Sequence, residues 1–451
     1  MKVHLIAIGG AAMHNLAIAL HLNNYTVLGS DDEIYGLSHK NLSKYGLLPV
    51  KMGWNPANID KSIDFIIVGM HAKKDNPELA RAIELGITTY SYPEFLFRHA
   101  KDKTRVVIAG SHGKTTTTSI LMHVLKTINF DFDYLVGAQL EGFEVMVRLS
   151  DAPVIVIEGD EYLSSPLDLR PKILHYKPHH ACITGIAWDH INVFKTFDIY
   201  KHQFELFIES MEAESTLYFY RNDEYLSEMT SRLKPDSVAY ESVDFELKGG
   251  QTIVSDKDGD EYEIALFGKH NMENLKAAQL LAKDIGVDAC TFFEAMQSFN
   301  GAHKRLQQIF RNEHNIAFHD FAHAPSKLKA TVDALKEQFP DKILIACFEL
   351  HTYSSLNKLF LPLYKDSLEK ADVAIVFYQD HTIEMKRLAP LHKTDVEFGF
   401  QKEGLLVFKD QVDLKKALKS ISYDNHILAF LSSGNFGGMD LKATAGNLLS
   451  G

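Results

Sequence analysis

Arg105-Val106-Val107-Ile108-Ala109-Gly110-Ser111-His112-Gly113-Lys114-Thr115-Thr116 decides the fold: an apolar run fit for a buried strand passes through a short glycine turn into a polar helix start. A turn of that kind lets backbone N–H groups approach phosphate oxygens, and the helix N-terminus adds a favourable dipole. Lys114 would neutralise β/γ-phosphate charge, and the hydroxyl of Thr115 or Thr116 would ligate Mg²⁺. The segment from Gly110 to Thr116 is therefore expected to bind the phosphates of ATP. It misses the general GxxxxGK[ST] pattern, because Ile108 stands where the first glycine belongs and the loop is shorter than usual. The competing reading is a capped helix start after a strand.

Working outward, short runs rich in Val and Ile at 3–8, 25–29, 64–69, 105–109, 154–158, 181–186, 343–348, 372–377 and 426–431 alternate with helix-length segments. This predicts parallel sheets with crossover helices. A chain of 451 residues is too long for one core, and three domains fit its length. The first break falls at Lys101-Asp102-Lys103 and the second near Gly301. Between about 215 and 266 short strands with turn signals predict an antiparallel extension of the middle domain. A helix at about 325–338 should open at Pro325.

Composition excludes several classes. With 46% hydrophobic and 24% charged residues and no apolar run of about 18, the chain should fold in water, without a membrane partner. The start, Met1 to Ile8, is too short an apolar stretch for a signal peptide and reads as a strand, which points to the cytoplasm. A net charge of -12 disfavours nucleic acid. Cys182, Cys290 and Cys347 lie far apart, offer no thiolate zinc site, and are expected in the core.

Further candidates cluster at strand ends, where open α/β sheets bind ligands. Within Glu158-Gly159-Asp160-Glu161-Tyr162, Glu158 is the candidate Mg²⁺ ligand, while Asp189 and His190 could hold a second metal. Phe267-Gly268-Lys269-His270-Asn271-Met272-Glu273-Asn274 offers polar groups for a base or ribose, or simply caps a helix. His303-Lys304-Arg305 could bring cations to a γ-phosphate from another domain, or form a solvated basic cluster. Gly9-Gly10-Ala11-Ala12-Met13 and Gly29-Ser30-Asp31 suit a nucleotide-linked ligand, although the first lacks GxGxxG spacing.

Taken in order, these segments resemble the Mur ligase superfamily over nearly the whole chain. Gly110 to Thr116 resembles its GTHGKTT loop, Phe267 to Asn274 its G-x-H-N-x-x-N motif, and Gly301 to Arg305 its domain-joining motif. The resemblance implies an α/β fold of three domains. These are a Rossmann-like UDP-muramate-binding domain over 1–102, a central P-loop ATPase-type parallel sheet over 103–299, and a C-terminal Rossmann-like domain over 300–451 that closes on ATP and binds the acceptor. It implies ATP contacts at Gly110, Ser111, His112, Gly113, Lys114, Thr115, Thr116, His270, Asn271, Asn274, Arg305, Asp320 and His323. It implies UDP-sugar contacts at Gly9, Gly10, Ala11, Ala12, Met13, Ser30, Asp31 and His71, metal contacts at Thr115, Thr116, Glu158 and His190, and catalysis through Lys114, His190 and Arg305.

Asp75-Asn76-Pro77-Glu78 is similar to the branch that takes unsubstituted UDP-N-acetylmuramate. Glu158 to Tyr162, His175-Tyr176-Lys177-Pro178, Trp188 to Phe194 and Ser433 to Gly438 are similar to its peptide-adding members. The implied reaction joins L-Ala-γ-D-Glu-meso-diaminopimelate to UDP-N-acetylmuramate with ATP and Mg²⁺, as in peptidoglycan recycling. Free L-alanine as acceptor, and a nucleotide sensor without catalysis, are the alternatives. The chain departs from the family pattern at Thr352, His319, Ala324 and Lys304.

Overall fold

The structure, a computed structural model, describes residues 1–140, 142–165, 168–188, 193–248, 251–301 and 304–450. Three mainly parallel sheets with helices packed on their faces organise them, and a small three-stranded antiparallel sheet makes a fourth. The first is all parallel, in the order Thr26–Ser30, Lys2–Ile6, Phe65–Val68, Thr89–Ser91. Its interior strands are buried from Val3 to Ile6 and throughout Phe65–Val68, and apolar there except for His4, because both faces are covered.

The central sheet has seven strands, with Thr104–Ala109 between His180–Ile183 and Val154–Glu158. Helix Lys114–Thr127 leaves directly from the glycine turn. Thr216–Tyr220 and Val238–Tyr240 continue this sheet in parallel, joined by helix Glu224–Leu233. The antiparallel extension expected from residue 215 is thus confined to Phe245–Lys248, Gln251–Ser255 and Glu261–Ile264. Short strands between turns do not encode direction; the intervening helix does, since a crossover returns the chain parallel. Phe132–Leu135 and Val147–Arg148 add an antiparallel edge pair that the sequence pattern does not announce.

The third sheet runs Gln307–Arg311, Ile316–Asp320, His426–Leu431, Ile343–Glu349, Val373–Phe377, Leu406–Phe408, parallel except for its first pair. Helix Pro325–Gln338 starts with proline at its first turn, as expected.

Packing joins the units. Val3, Leu5 and Leu16 of the first share one buried cluster with Val107, Ile155 and Phe204 of the second. Phe267, just before helix Lys269–Asp284, sets its ring 5.6 Å from Phe318 and 5.9 Å from Phe339 of the third. Burying one such ring contributes about 2–3 kcal/mol to that junction. Cys182 and Cys347 are buried, whereas Cys290, in the first turn of helix Ala289–Met296, is exposed and not in the core. Among the described residues no helix is long and apolar enough to cross a membrane.

Candidate active site

The glycine turn is shaped by close approach. Gly110 (φ 125°) and Gly113 (φ 77°) both take conformations that disfavour side chains. A Cβ on Gly110 would stand 2.5 Å from Thr184 Oγ1, and one on Gly113 2.2 Å from Asn274 Oδ1. The Ser111 amide donates to Gly185 O at 2.8 Å, and Thr184 Oγ1 donates to the carbonyl of His112. The loop is therefore held by strand His180–Ile183 and by helix Lys269–Asp284, with the helix start at Lys114 left facing a cavity.

That cavity, about 640 Å³, lies between the second and third units. Ser111, His112, Gly113, Lys114, Thr115, Thr116, Glu158, His270, Asn271, Asn274, Arg305, Asp320 and His323 all line it. Gly110 does not line it but shapes the loop from behind. His112 Nε2 meets Ser326 Oγ of helix Pro325–Gln338 at 2.7 Å, so the loop touches the third unit directly.

Lys114 donates to Glu161 Oε2 at 2.9 Å and to Gly110 O. Burial pulls its pKa down, but the charges of Glu161, Asp160 and Glu158 prevail and hold the ammonium above its ordinary value. Glu161, 1% exposed, also accepts from Tyr200 at 2.7 Å, and Tyr200 Oη lies 2.8 Å from Ser111 Oγ. Thr115 Oγ1 donates to Glu158 Oε1 at 2.7 Å, and Gly137 N to Oε2 at 2.8 Å. Of the two threonines proposed for a metal, Thr115 is thus the one joined to Glu158.

Across the cavity, Asp320 accepts from Leu306 N (2.6 Å), Ala322 N (2.8 Å) and Thr331 Oγ1 (3.2 Å). Those bonds fix the loop that aims Arg305, whose guanidinium carbon sits 4.7 Å over the Phe321 ring. Burial lowers the Arg305 pKa, with Asp320 and Glu158 opposing, and Arg305 and Glu158 line the same cavity. Burial pulls the His270 pKa below its ordinary value, with Asp320 opposing. Asp189, His190 and His303 lie outside the described residues.

A second cavity, about 400 Å³, opens between the first and second units. Gly10, Ala11, Ala12, Met13, His71 and again Glu158 line it. Gly9, Ser30 and Asp31 do not. Ser30 gives its hydroxyl to the fully buried Glu78, and Asp31 Oδ2 accepts the Gly9 amide at 2.7 Å, bracing the turn from behind.

Burial and a hydrogen bond with Asp32 push the Asp31 carboxyl up to about 6, with the Gly9 and Asp32 amides opposing. An unfolded Asp titrates near ~3.9, so between about pH 4 and 6 the folded chain keeps a proton that the unfolded chain has lost. Stability from this group is largest below about pH 4, falls by up to about 2 kcal/mol as pH rises to 6, and is level above. Asp31→Asn should flatten that segment, read by urea unfolding at pH 4.5 and 7.5; an unchanged pH dependence would contradict the assignment.

Sequence reasoning missed Glu161, Tyr200, Asp160, Lys172 and Tyr92. Asp160 and Glu161 stand inside the motif that contains Glu158, whereas Tyr200 and Tyr92 carry no local signal. Among the described residues, three side chains of metal-binding type also meet at Glu94, Asp168 and His175. Arg170 already grips both Asp168 oxygens at 2.9 and 2.7 Å, which makes this an ion-pair anchor.

A glycine loop facing Arg305 of the third unit, with Glu158 opening on both cavities, suits one class, a three-domain ATP-dependent ligase. The Mur ligase family catalytic-domain model matches residues 2–104, and the Mur ligase middle-domain model residues 108–282. A UDP-N-acetylmuramate--L-alanine ligase of Sulfurihydrogenibium sp. is 30% identical over 83% of this chain and 82% of its own. A murein peptide ligase from Psychrobacter arcticus shares the fold at a TM-score of 0.65 and 23% identity, covering 100% of this chain and 98% of that one. A UDP-N-acetylmuramate-alanine ligase from Thermotoga maritima does so at 0.71 and 21%, with coverage of 100% and 98%. The chain belongs to the Mur ligase family, whose members are ATP-dependent amide ligases.

Proposed function

We propose that the protein joins the carboxylate of UDP-N-acetylmuramate to an amine at the expense of ATP, with L-Ala-γ-D-Glu-meso-diaminopimelate as acceptor. The observation that carries this reading is Glu158, which lines both cavities and so marks where a γ-phosphate and an acyl donor can meet. A free carboxylate offers no leaving group for an amine. Attack of a carboxylate oxygen on the γ-phosphorus releases ADP and gives an acyl phosphate; the amine then attacks the acyl carbon and inorganic phosphate leaves.

The transfer is mainly an electrostatic problem, and the site supplies charge from two walls. Lys114 comes from the loop and Arg305 from the third unit, while the amides at the start of helix Lys114–Thr127 face the phosphates. Thr115 and Glu158, oxygen ligands 2.7 Å apart, suit Mg²⁺, which would neutralise polyphosphate charge. Thr116 remains beside them, and His190 is the proposed ligand of a second Mg²⁺. His270, Asn271 and Asn274 serve the nucleoside side; Asp320 fixes Arg305, and His323 lines the closing wall. In this reading 1–102 holds the UDP-sugar, 103–299 ATP, and 300–451 closes, excludes water and takes the acceptor.

Ser433 to Gly438, similar to a segment of peptide-adding members, lies against the end of strand Ile343–Glu349, which supports an acceptor site there. Glu349 Oε2 accepts the Phe436 amide at 3.0 Å, and a Cβ on Gly434 would stand 2.6 Å from the His351 ring. Free L-alanine is the second reading, favoured by the name of the 30% identical relative. Phosphate release from ATP is expected only with UDP-N-acetylmuramate and an amine together, and the tripeptide should exceed L-alanine at equal concentration. Release that ignores the UDP-sugar would refute the proposal, and a preference for L-alanine would reassign the acceptor.

A further inference from the structure

The second cavity holds two donors that the proposed reaction leaves unused. Lys172 begins the short helical turn Lys172–His175, fixed where its backbone amide donates to Tyr162 O at 2.9 Å. Its ammonium lies 2.5 Å from Asp160 Oδ2 and 5.9 Å from the centre of the Tyr162 ring. That commits one N–H of three. Tyr92, from the start of helix Tyr92–His99 in the first unit, is 4% exposed, and its hydroxyl has no hydrogen-bond partner. Both side chains line the cavity, as do Asp160 and Glu158.

Position and charge narrow the ligand. Asp160, whose carboxylate Lys172 grips, lines the cavity together with Glu158. Lys172 therefore shares this cavity with the carboxylate that also lines the ATP-facing one. The Glu158 oxygens there are already taken by Thr115 and Gly137. Burial pushes the Tyr92 pKa up, with the Asp160 charge adding, so the phenol stays a donor. An ammonium with spare N–H groups and a buried O–H lacking an acceptor, both lining one cavity, suit an anion with two oxygens.

We propose that Lys172 and Tyr92 bind the free carboxylate of the nucleotide-linked sugar and hold it beside the Glu158 junction, so that they select an acidic sugar over its neutral counterpart. This rests on the acyl-donor reading of the second cavity. Asp160 is the positioning residue, fixing the ammonium while leaving its other donors for the ligand.

Calorimetry on the full chain with UDP-N-acetylmuramate and its neutral analogue UDP-N-acetylglucosamine tests it. The unaltered protein should bind the acidic sugar at least about tenfold more tightly. Lys172→Met should bring the two affinities within about threefold by weakening only the acidic one, and Lys172→Arg should restore part of the difference. Tyr92→Phe, which removes one oxygen, should weaken only the acidic sugar and carries the comparison should Lys172→Met fail to fold. An undiminished preference in Lys172→Met and Tyr92→Phe, or equal loss for both sugars, overturns the inference and leaves the ligase reading intact. An unaltered protein that binds neither sugar overturns both.

Discussion

Arg305→Ala should lower ATP-dependent amide formation about a thousandfold or more while nucleotide binding changes little. The expectation rests on how the side chain is presented. Lys304 and Leu306, on either side, both take left-handed backbone angles (φ 55° and 46°), which non-glycine residues adopt only when surroundings impose them. Asp320 imposes them here, receiving the Leu306 amide at 2.6 Å, while Phe321 N donates to Lys304 O at 2.8 Å. The guanidinium lies over Phe321 and lines the cavity opposite Glu158, so in the proposed reaction it would meet the phosphoryl group only when the third unit is in place. Loss should fall on kcat and spare nucleotide affinity, because the phosphate loop belongs to the second unit. Arg305→Lys should recover only part, since a point charge cannot reproduce a planar fork. Steady-state phosphate release combined with fluorescent-nucleotide titration separates the two quantities. Turnover near that of the unaltered protein in Arg305→Ala would remove this residue from the chemistry.

The features legible in the sequence are local ones. The strand at 105–109, the turn and the helix that follows are contiguous, and their glycines announce a close approach that Thr184 and Asn274 turn out to make. Helix 325–338 and strand 426–431 are equally plain, because a proline start and an unbroken apolar run need no distant partner. The pairings that shape the site are of another kind. Lys114 and Glu161 are 47 residues apart, Ser111 and Tyr200 are 89 apart, and Ser30 and Glu78 are 48 apart. Nothing in a window of a dozen residues tells Ser30 that its hydroxyl will serve a buried carboxylate rather than a ligand. Tyr92 shows the same limit: on a helix face it looks like any core aromatic, and only the cavity beside it reveals an unmet donor. Cys290 fails in the opposite direction, since its class suggests burial and its helix face denies it.

Lys114→Met should abolish turnover, by about a thousandfold, and should also cost the empty protein about 3–5 kcal/mol, because it strands a buried carboxylate. Lys114 is 15% exposed at the side chain and Glu161 1%, with 2.9 Å between them. The folded ammonium titrates above its ordinary value, since Glu161, Asp160 and Glu158 outweigh burial. A raised folded pKa means that the stabilisation is fully present below the unfolded value of about 10.4 and is lost only as pH rises through the higher folded one. At neutral pH the substitution therefore forfeits all of it. Adding Glu161→Gln should return most of the stability: the amide carbonyl can still accept from Tyr200 Oη, which keeps Ser111 tethered to Ala187 N (2.9 Å). Turnover should stay lost, because no cation remains on the loop. Urea unfolding of the single and double variants separates the two roles. A double variant no more stable than Lys114→Met would show that the loop is held by its backbone contacts to Thr184 and Gly185, and that Glu161 is not what Lys114 steadies before ATP arrives.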